Sequence, residues 1–284
     1  MSLLAKRRSL HIPIINVGGK ENQRDLGHGI KLHEVIGEGS SSIVRRASKG
    51  KINDLAVKIV RCESDDQLQN AQNEYEILRK ISHASIVRVI DFVYHSQTAW
   101  IVQEFIEGKS LGATVRERVL LETQKRSIVS QLVEAVRFIH ACGVIHRDIN
   151  PNNLMIRKEL NDEDIHVKLI DFNVATESET CLTPTGTMNF SAPEQLDVSL
   201  AGYDSKVDIW SCGMVLWFMH IRREPVPCTR RVDIHKWLKD HALQHALNDT
   251  MDHPLQPLIV MSLVVDPQMR VTASDLLDCL LKCV

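Results

Sequence analysis

No charge of one sign dominates this chain. Its 34 Lys and Arg stand against 36 Asp and Glu, a net charge of -2 over 284 residues, so no broad basic face is expected and binding to nucleic acid or a membrane surface through bulk charge is excluded. No C-x-x-C spacing occurs. The seven cysteines, Cys62, Cys142, Cys181, Cys212, Cys228, Cys279 and Cys283, are odd in number and scattered, which excludes a disulfide framework and a zinc site as readings. Reduced thiols suit an intracellular compartment, so a cytoplasmic location is expected, with the nucleus as the alternative. Long apolar runs are missing as well: the most continuous, Met214 to Met219, is far shorter than the ~20 residues that cross a bilayer. Internal repeats and low-complexity tracts are absent.

What is present is an ordinary core-forming composition, 44% hydrophobic and 25% charged, with length enough for one large domain or two lobes. Residues 1 to 29 carry Gly18, Gly19, Gly27 and Gly29 among polar residues, and the first twenty lack acids but contain Lys6, Arg7 and Arg8. A flexible arm is expected there, with an organelle-targeting peptide as the alternative. From Ile30 the chain reads as short strands, "IKLHEVIGEG", "SIVRRAS" and "DLAVKIVRC", broken by Gly37, Gly39 and Gly50. "NAQNEYEILRKIS" spaces Tyr75, Leu78 and Ile81 as one face of a helix, and two further strands follow, "VRVIDFVYH" and "AWIVQEFI". After Gly108 the pattern is helical. Ile128, Leu132, Val136 and Ile139 form a stripe that stops near Gly143, and "SKVDIWSCGMVLWFMH" is apolar almost all round, as suits a helix buried in the centre of a lobe. Between these, "LMIRKELNDEDIHVKLIDF" predicts two short strands around an acidic turn.

Five stretches carry chemistry. "IGEGSSSIV" places Gly37 and Gly39 where backbone N–H groups can approach a phosphate, although a glycine hairpin explains it equally well when taken alone. Lys58 in "LAVK" shares a strand face with Ala56, and a lysine facing a lobe interior needs an acid, which Glu74 on the next helix can supply. "HRDINPNNLM" gathers His146, Arg147, Asp148, Asn150, Asn152 and Asn153 in one loop, followed by "IDFN" at 170 to 173 and "GTMNFSAPE" at 186 to 194. In this order and spacing the motifs resemble those of the eukaryotic-type protein kinase family over residues 30 to 284.

The resemblance implies an α+β, bilobal fold: a β-rich N-lobe with one main helix (30–103), a hinge (104–108) and a larger helical C-lobe (109–284). It implies transfer of the γ-phosphoryl of ATP to Ser or Thr hydroxyls of protein substrates, with Mg²⁺, or Mn²⁺ in its place, and an upstream kinase or regulatory protein as a further partner. Ile36, Val44 and Ala56 would roof the adenine and Met155 lie beneath it, with the backbone from Glu104 to Ile106 at its edge and Gln103 as gatekeeper. Lys58, oriented by Glu74, would hold the phosphates. Asp148 would take the substrate hydroxyl's proton, and Asn153 and Asp171 would hold two metal ions. Asp208 would hold the backbone of the HRD loop, Glu194 would pair with Arg270, and Leu78, Val89, His146 and Phe172 would stack as a spine. Thr187 matches the threonine by which Ser/Thr kinases touch the catalytic aspartate, and Thr183 is the expected activating phosphosite, its phosphate paired with Arg147.

The chain departs from the family at three places. Ser42 stands where the third loop glycine is usual. Asn173 replaces the glycine of D-F-G, and Asn is the residue most able to adopt the positive φ expected there. Asn150 stands where Ser/Thr kinases carry a lysine on the γ-phosphate. Losing that cation predicts transfer slowed by about 10²- to 10³-fold rather than abolished. The alternative is a pseudokinase that acts as a nucleotide-binding scaffold or allosteric regulator. Neutral Asn152 and Ser110, where arginine-directed members carry acids, argue against a preference for basic substrates.

Overall fold

The computed structural model describes residues 24–25, 29–39, 42–157, 165–197 and 202–282. Most of the expected arm, the tip of the glycine-rich loop at Ser40 and Ser41, and the acidic turn at 158–164 therefore lie outside the described residues. Within the arm, Arg24–Asp25 forms a short strand, β1, which corrects the expectation of a flexible segment at those two positions. Among the described residues no helix is long and apolar enough to cross a membrane.

Two compact units divide the chain, one comprising Met1–Ala71 with Val89–Phe105, the other Gln72–Arg88 with Ile106–Val284. In the first, β1, β2 (Ile30–Glu38), β3 (Ser42–Lys49), β4 (Ile52–Arg61), β5 (Val89–His95) and β6 (Thr98–Glu104) form an antiparallel sheet in the order β1-β2-β3-β4-β6-β5. One core cluster gathers Ile30, Leu32, Ala47, Leu55, Val57 and Val102, and a second gathers Cys62, Ala71, Ala99 and Ile101. On β4 four successive residues, Leu55 to Lys58, are buried, so both faces of this central strand are covered. The β5–β6 turn is built from Ser96 and Gln97, both at positive φ (49° and 59°), a primed hairpin turn made without glycine. Helix α1 (Asp65–Lys80) begins with Asp65 and Asp66 and ends with Arg79 and Lys80, charges that complement the helix dipole.

The second unit is built round two helices. α3 (Glu122–Ala141) buries Ile128, Leu132, Val136 and Ile139 as its stripe predicts. α5 (Lys206–Ile221) is buried from Val207 to Met219, which is why its sequence shows no polar face. A small sheet joins β7 (Gly108–Ser110), β8 (Leu154–Arg157) and β9 (His166–Leu169), all antiparallel. The short α2 (Leu111–Glu117) is capped by Ser110 Oγ, which accepts from the Ala113 N–H. α4 (Pro193–Leu196), α6 (Arg231–Asp240), α7 (Ala242–Asp249), α8 (Gln256–Ser262) and α9 (Ala273–Lys282) complete the unit, with α8 and α9 packed on α5 and α3.

Candidate active site

The hairpin of β8 and β9 fixes the geometry. Leu154 pairs with Leu169, and the Ile170 N–H donates to the Asn153 carbonyl at 2.9 Å, so the residues flanking the strands, Asn153 and Asp171, emerge side by side. Asp171 holds φ +65°, a left-handed conformation that costs a non-glycine residue energy and recurs at functional sites. Asn173 does not adopt positive φ, so the expectation for that position is corrected: the left-handed turn falls on Asp171, two residues earlier. Asn173 is compatible with the segment for that reason, although its Oδ1 is buried and without a hydrogen bond.

Asp208, on the first turn of buried α5 and fully enclosed, anchors the loop that precedes β8. Its Oδ2 accepts the His146 N–H at 2.9 Å and faces His140 Nε2 at 2.8 Å, and its Oδ1 accepts the Arg147 N–H at 2.8 Å. Burial pushes the Asp208 carboxyl up, but the bond and charge of His140, the charge of His146 and the His146 N–H together outweigh it and hold the group below the usual carboxylate range. These bonds sustain Arg147 at φ +68°. His146 is fully buried with its ring edge-on to Phe172, centroids 4.6 Å apart. Its Nδ1 accepts the Asp148 N–H at 3.2 Å, which leaves Nε2 as the donor toward the Ile170 carbonyl at 3.3 Å.

Around Asp148 three donors converge. Its Oδ1 accepts the Thr187 N–H at 2.7 Å and Asn150 Nδ2 at 3.0 Å, while Oδ2 accepts Asn153 Nδ2 at 3.0 Å. A carboxylate offers about four lone-pair positions, so one on Oδ2 remains. Asn150, only 3% exposed, also donates from Nδ2 to Thr187 Oγ1 at 3.0 Å and accepts the Asn152 N–H at 2.9 Å. Thr187 thus reaches Asp148 through its backbone, and its hydroxyl goes to Asn150, a division of labour absent from the sequence-based expectation.

Residues 171–194 are tied down by groups that sequence reasoning missed, Gln195, Asn73 and Lys80, and by the expected pair of Arg270 and Glu194. Gln195 Nε2 donates to the Arg147 carbonyl at 2.7 Å and the Thr185 carbonyl at 3.0 Å. Gly186 permits this approach: it sits at φ +87°, and a Cβ there would lie 2.4 Å from the Arg147 oxygen. Arg147 Nε donates to the Val174 carbonyl at 2.5 Å, so the guanidinium expected to meet a phosphothreonine is engaged by neutral oxygen, and Thr183 is exposed. Farther out, Asn73 Nδ2 donates to the Ala175 carbonyl at 3.0 Å and Lys80 pairs with Glu177 at 2.8 Å. Below, Arg270 forks onto Glu194 at 2.6 and 3.1 Å with both side chains buried.

In the first unit the sheet register groups the remaining candidates. Val44 lies opposite Lys58 and beside Gly37, and Ala56 lies opposite Gln103. Lys58 and, on α1, Glu74 are both buried and both engaged in polar or electrostatic contacts. Gln103 Nε2 is buried without a hydrogen bond, and Ile36 is exposed. Glu104 closes β6, Ile106 begins the second segment of the second unit, and Met155 sits on β8 opposite Ser110 and Lys168.

The donor set fits a hard divalent ion. Asn153 Nδ2 is spent on Asp148, so Oδ1 is the atom of this amide that could hold a metal, and Asp171 brings a carboxylate at the same end of the hairpin. Among the described residues no three His, Cys, Asp or Glu side chains cluster for a metal.

Comparison with known proteins agrees with this geometry. The chain is 30% identical over 265 residues to the phosphorylase b kinase gamma catalytic chain, liver/testis isoform, of Mus musculus, covering 86% of this chain and 64% of that one. It is 27% identical over 263 residues to the SNF1-like protein kinase ssp2 of Schizosaccharomyces pombe, covering 90% and 44%. A probable serine/threonine-protein kinase, fhkE of Dictyostelium discoideum, is 27% identical over 278 residues, covering 93% and 38%. The chain thus spans less than two thirds of the length of these relatives. With residues 30–280 matching the protein kinase domain model, the chain belongs to the protein kinase domain family.

Proposed function

We propose that this chain is a catalytically active serine/threonine kinase that transfers the γ-phosphoryl group of ATP to hydroxyls of protein substrates. The observation that carries this reading is the setting of Asp148: three donors fix its carboxylate, and one lone-pair position on Oδ2 is left for an incoming hydroxyl. A substrate Ser or Thr oxygen placed there is aligned for attack on phosphorus, and Asp148 takes its proton as the new P–O bond forms and the bond to the ADP oxygen breaks. Lys58 would hold the α- and β-phosphates, with Glu74 orienting it. Asn153 and Asp171 would hold Mg²⁺, which supplies charge neutralisation to the transferring group. Ile36, Gly37, Gly39, Val44, Ala56, Gln103, Glu104, Ile106 and Met155 remain the proposed nucleotide contacts. The scattered cysteines support a cytoplasmic or nuclear location.

The scaffold reading draws on Asn150 and on the uncompensated Asn173 Oδ1. Asn150 weighs less for it than the bare sequence suggests, because its amide joins Asp148 to Thr187. The test is transfer from labelled ATP with Mg²⁺ to mixed protein substrates, followed by phosphoamino-acid analysis. Phosphoserine and phosphothreonine are expected. Phosphotyrosine alone would overturn the specificity, and nucleotide binding without transfer would favour the scaffold.

A further inference from the structure

Tyr203 belongs to none of the motifs, yet it sits between the catalytic loop and the exposed stretch that follows Cys181. Its N–H donates to the Cys181 carbonyl at 3.0 Å, and its carbonyl accepts the Cys181 N–H at 2.8 Å. Gly202 makes this approach feasible: it holds φ +131°, and a Cβ there would meet Thr180 Cγ2 at 2.4 Å. The phenol is buried, and its hydroxyl donates to the Thr183 carbonyl at 2.7 Å while accepting from Arg147 Nη1 at 3.4 Å. Burial pushes the phenol pKa up, against the hydrogen bond and charge of Arg147, so the proton needed for Thr183 is retained. Leu182 and Thr183, the residues so restrained, are themselves exposed. Two residues on, the Thr185 carbonyl is held by Gln195, and then Thr187 by Asp148 and Asn150. Every second residue from Cys181 to Thr187 is therefore pinned, and Tyr203 supplies the first two pins.

We propose that Tyr203 is a positioning residue for phosphoryl transfer, its hydroxyl tying the Thr183 backbone to Arg147 so that the segment is set to receive a protein substrate without a phosphate of its own. The proposal rests on the kinase reading above. The tie uses the Thr183 carbonyl rather than its hydroxyl, and Arg147 donates to the Val174 carbonyl and the Tyr203 oxygen, both neutral.

The test uses the full chain and Tyr203→Phe, which removes one oxygen and keeps the ring. Hydrogen exchange at the amides of Leu182, Thr183 and residues 185–187 should speed up about three- to tenfold, the change expected for one net hydrogen bond. In the same variant KM for protein substrate should rise by about the same factor, with KM for ATP changed less than about twofold. Phosphatase-treated wild type should keep its rate. Unchanged exchange overturns the proposal whatever the activity. Faster exchange with both KM values unmoved, or a large loss of rate on phosphatase treatment, overturns the positioning role. Faster exchange in the variant, alongside a wild type that transfers no phosphate, overturns the enzyme reading itself and with it any catalytic part for the tie.

Discussion

Asn150 shows how a residue that looks like a loss in sequence becomes a joint in structure. Read as a missing cation, it predicts that Asn150→Lys would speed transfer. In place, its amide reaches Asp148 and Thr187 while its carbonyl closes a turn onto the Asn152 N–H, the last a bond that an ammonium, having no acceptor, cannot make. Asn150→Lys should therefore lower kcat. Asn150→Ala should lower it about 10- to 100-fold through lost orientation of Asp148, a bond to a charged group contributing about 1.5–3 kcal/mol. Steady-state kinetics with saturating ATP check both, and a faster Lys variant would show that charge, not orientation, limits the site. Asp148, Asn153, Asp171 and Lys58 were legible in sequence because each stands in a recognisable string. Gln195, Gly186 and Tyr203 were not, because each meets Arg147, 48, 39 and 56 positions away respectively, and no local pattern announces such pairings. Asn173 was misjudged for a related reason: the residue that turns left-handed is set by how β9 ends, not by which side chain best tolerates it.

At the scale of elements, the buried helix α5 and the glutamate of α4 carry the scaffold. Asp208 compensates three donors in a dry environment, and removing its charge strands them. Arg270 and Glu194 are buried opposite one another, and Arg270 also donates to the carbonyls of Lys206 and Val264. Glu194→Ala should cost about 3–5 kcal/mol, since it leaves a guanidinium buried without its carboxylate. Urea unfolding measures this, and a loss under about 1 kcal/mol would mean that the pair is better solvated than its burial implies. Lys80→Ala offers the contrast: it pairs with Glu177 at the surface, both about half exposed, and should cost less than about 1 kcal/mol. Periodicity revealed α1, α3 and α5, because each has either a clear stripe or none at all. The sequence reading passed over α2, α4 and α6 to α9, which are only 4 to 10 residues long, although α9 carries a buried stripe of Ala273, Leu276 and Leu280. The Ser96–Gln97 turn escaped notice because neither residue advertises positive φ.

For the molecule as a whole, acid should be the more damaging direction of pH. Burial raises the Glu122 carboxyl, but Lys125, His253 and His220 together bring it below its ordinary value, while burial lowers His253 against the pull of Glu122. Asp208 is likewise held low. In each case the folded state binds fewer protons than the unfolded one, so stability is full above the unfolded values and is lost as pH falls, first through His253 and then through the carboxylates. Melting temperature should fall between pH 7.5 and 5.5, and less so in His253→Asn; a melting point that rises on acidification would contradict the sign. Fold class and the central loop could be read from the chain alone, since composition, strand-then-helix order and five spaced motifs converge on them. The three-donor setting of Asp148 could not be, and it bears the account's central claim. The most direct measurement is the rate of phosphate transfer from labelled ATP by wild type and by Asp148→Ala, both confirmed folded by melting. Wild-type transfer that drops by about 10²-fold or more in the variant is the predicted result. Transfer at the same rate in both would contradict the account.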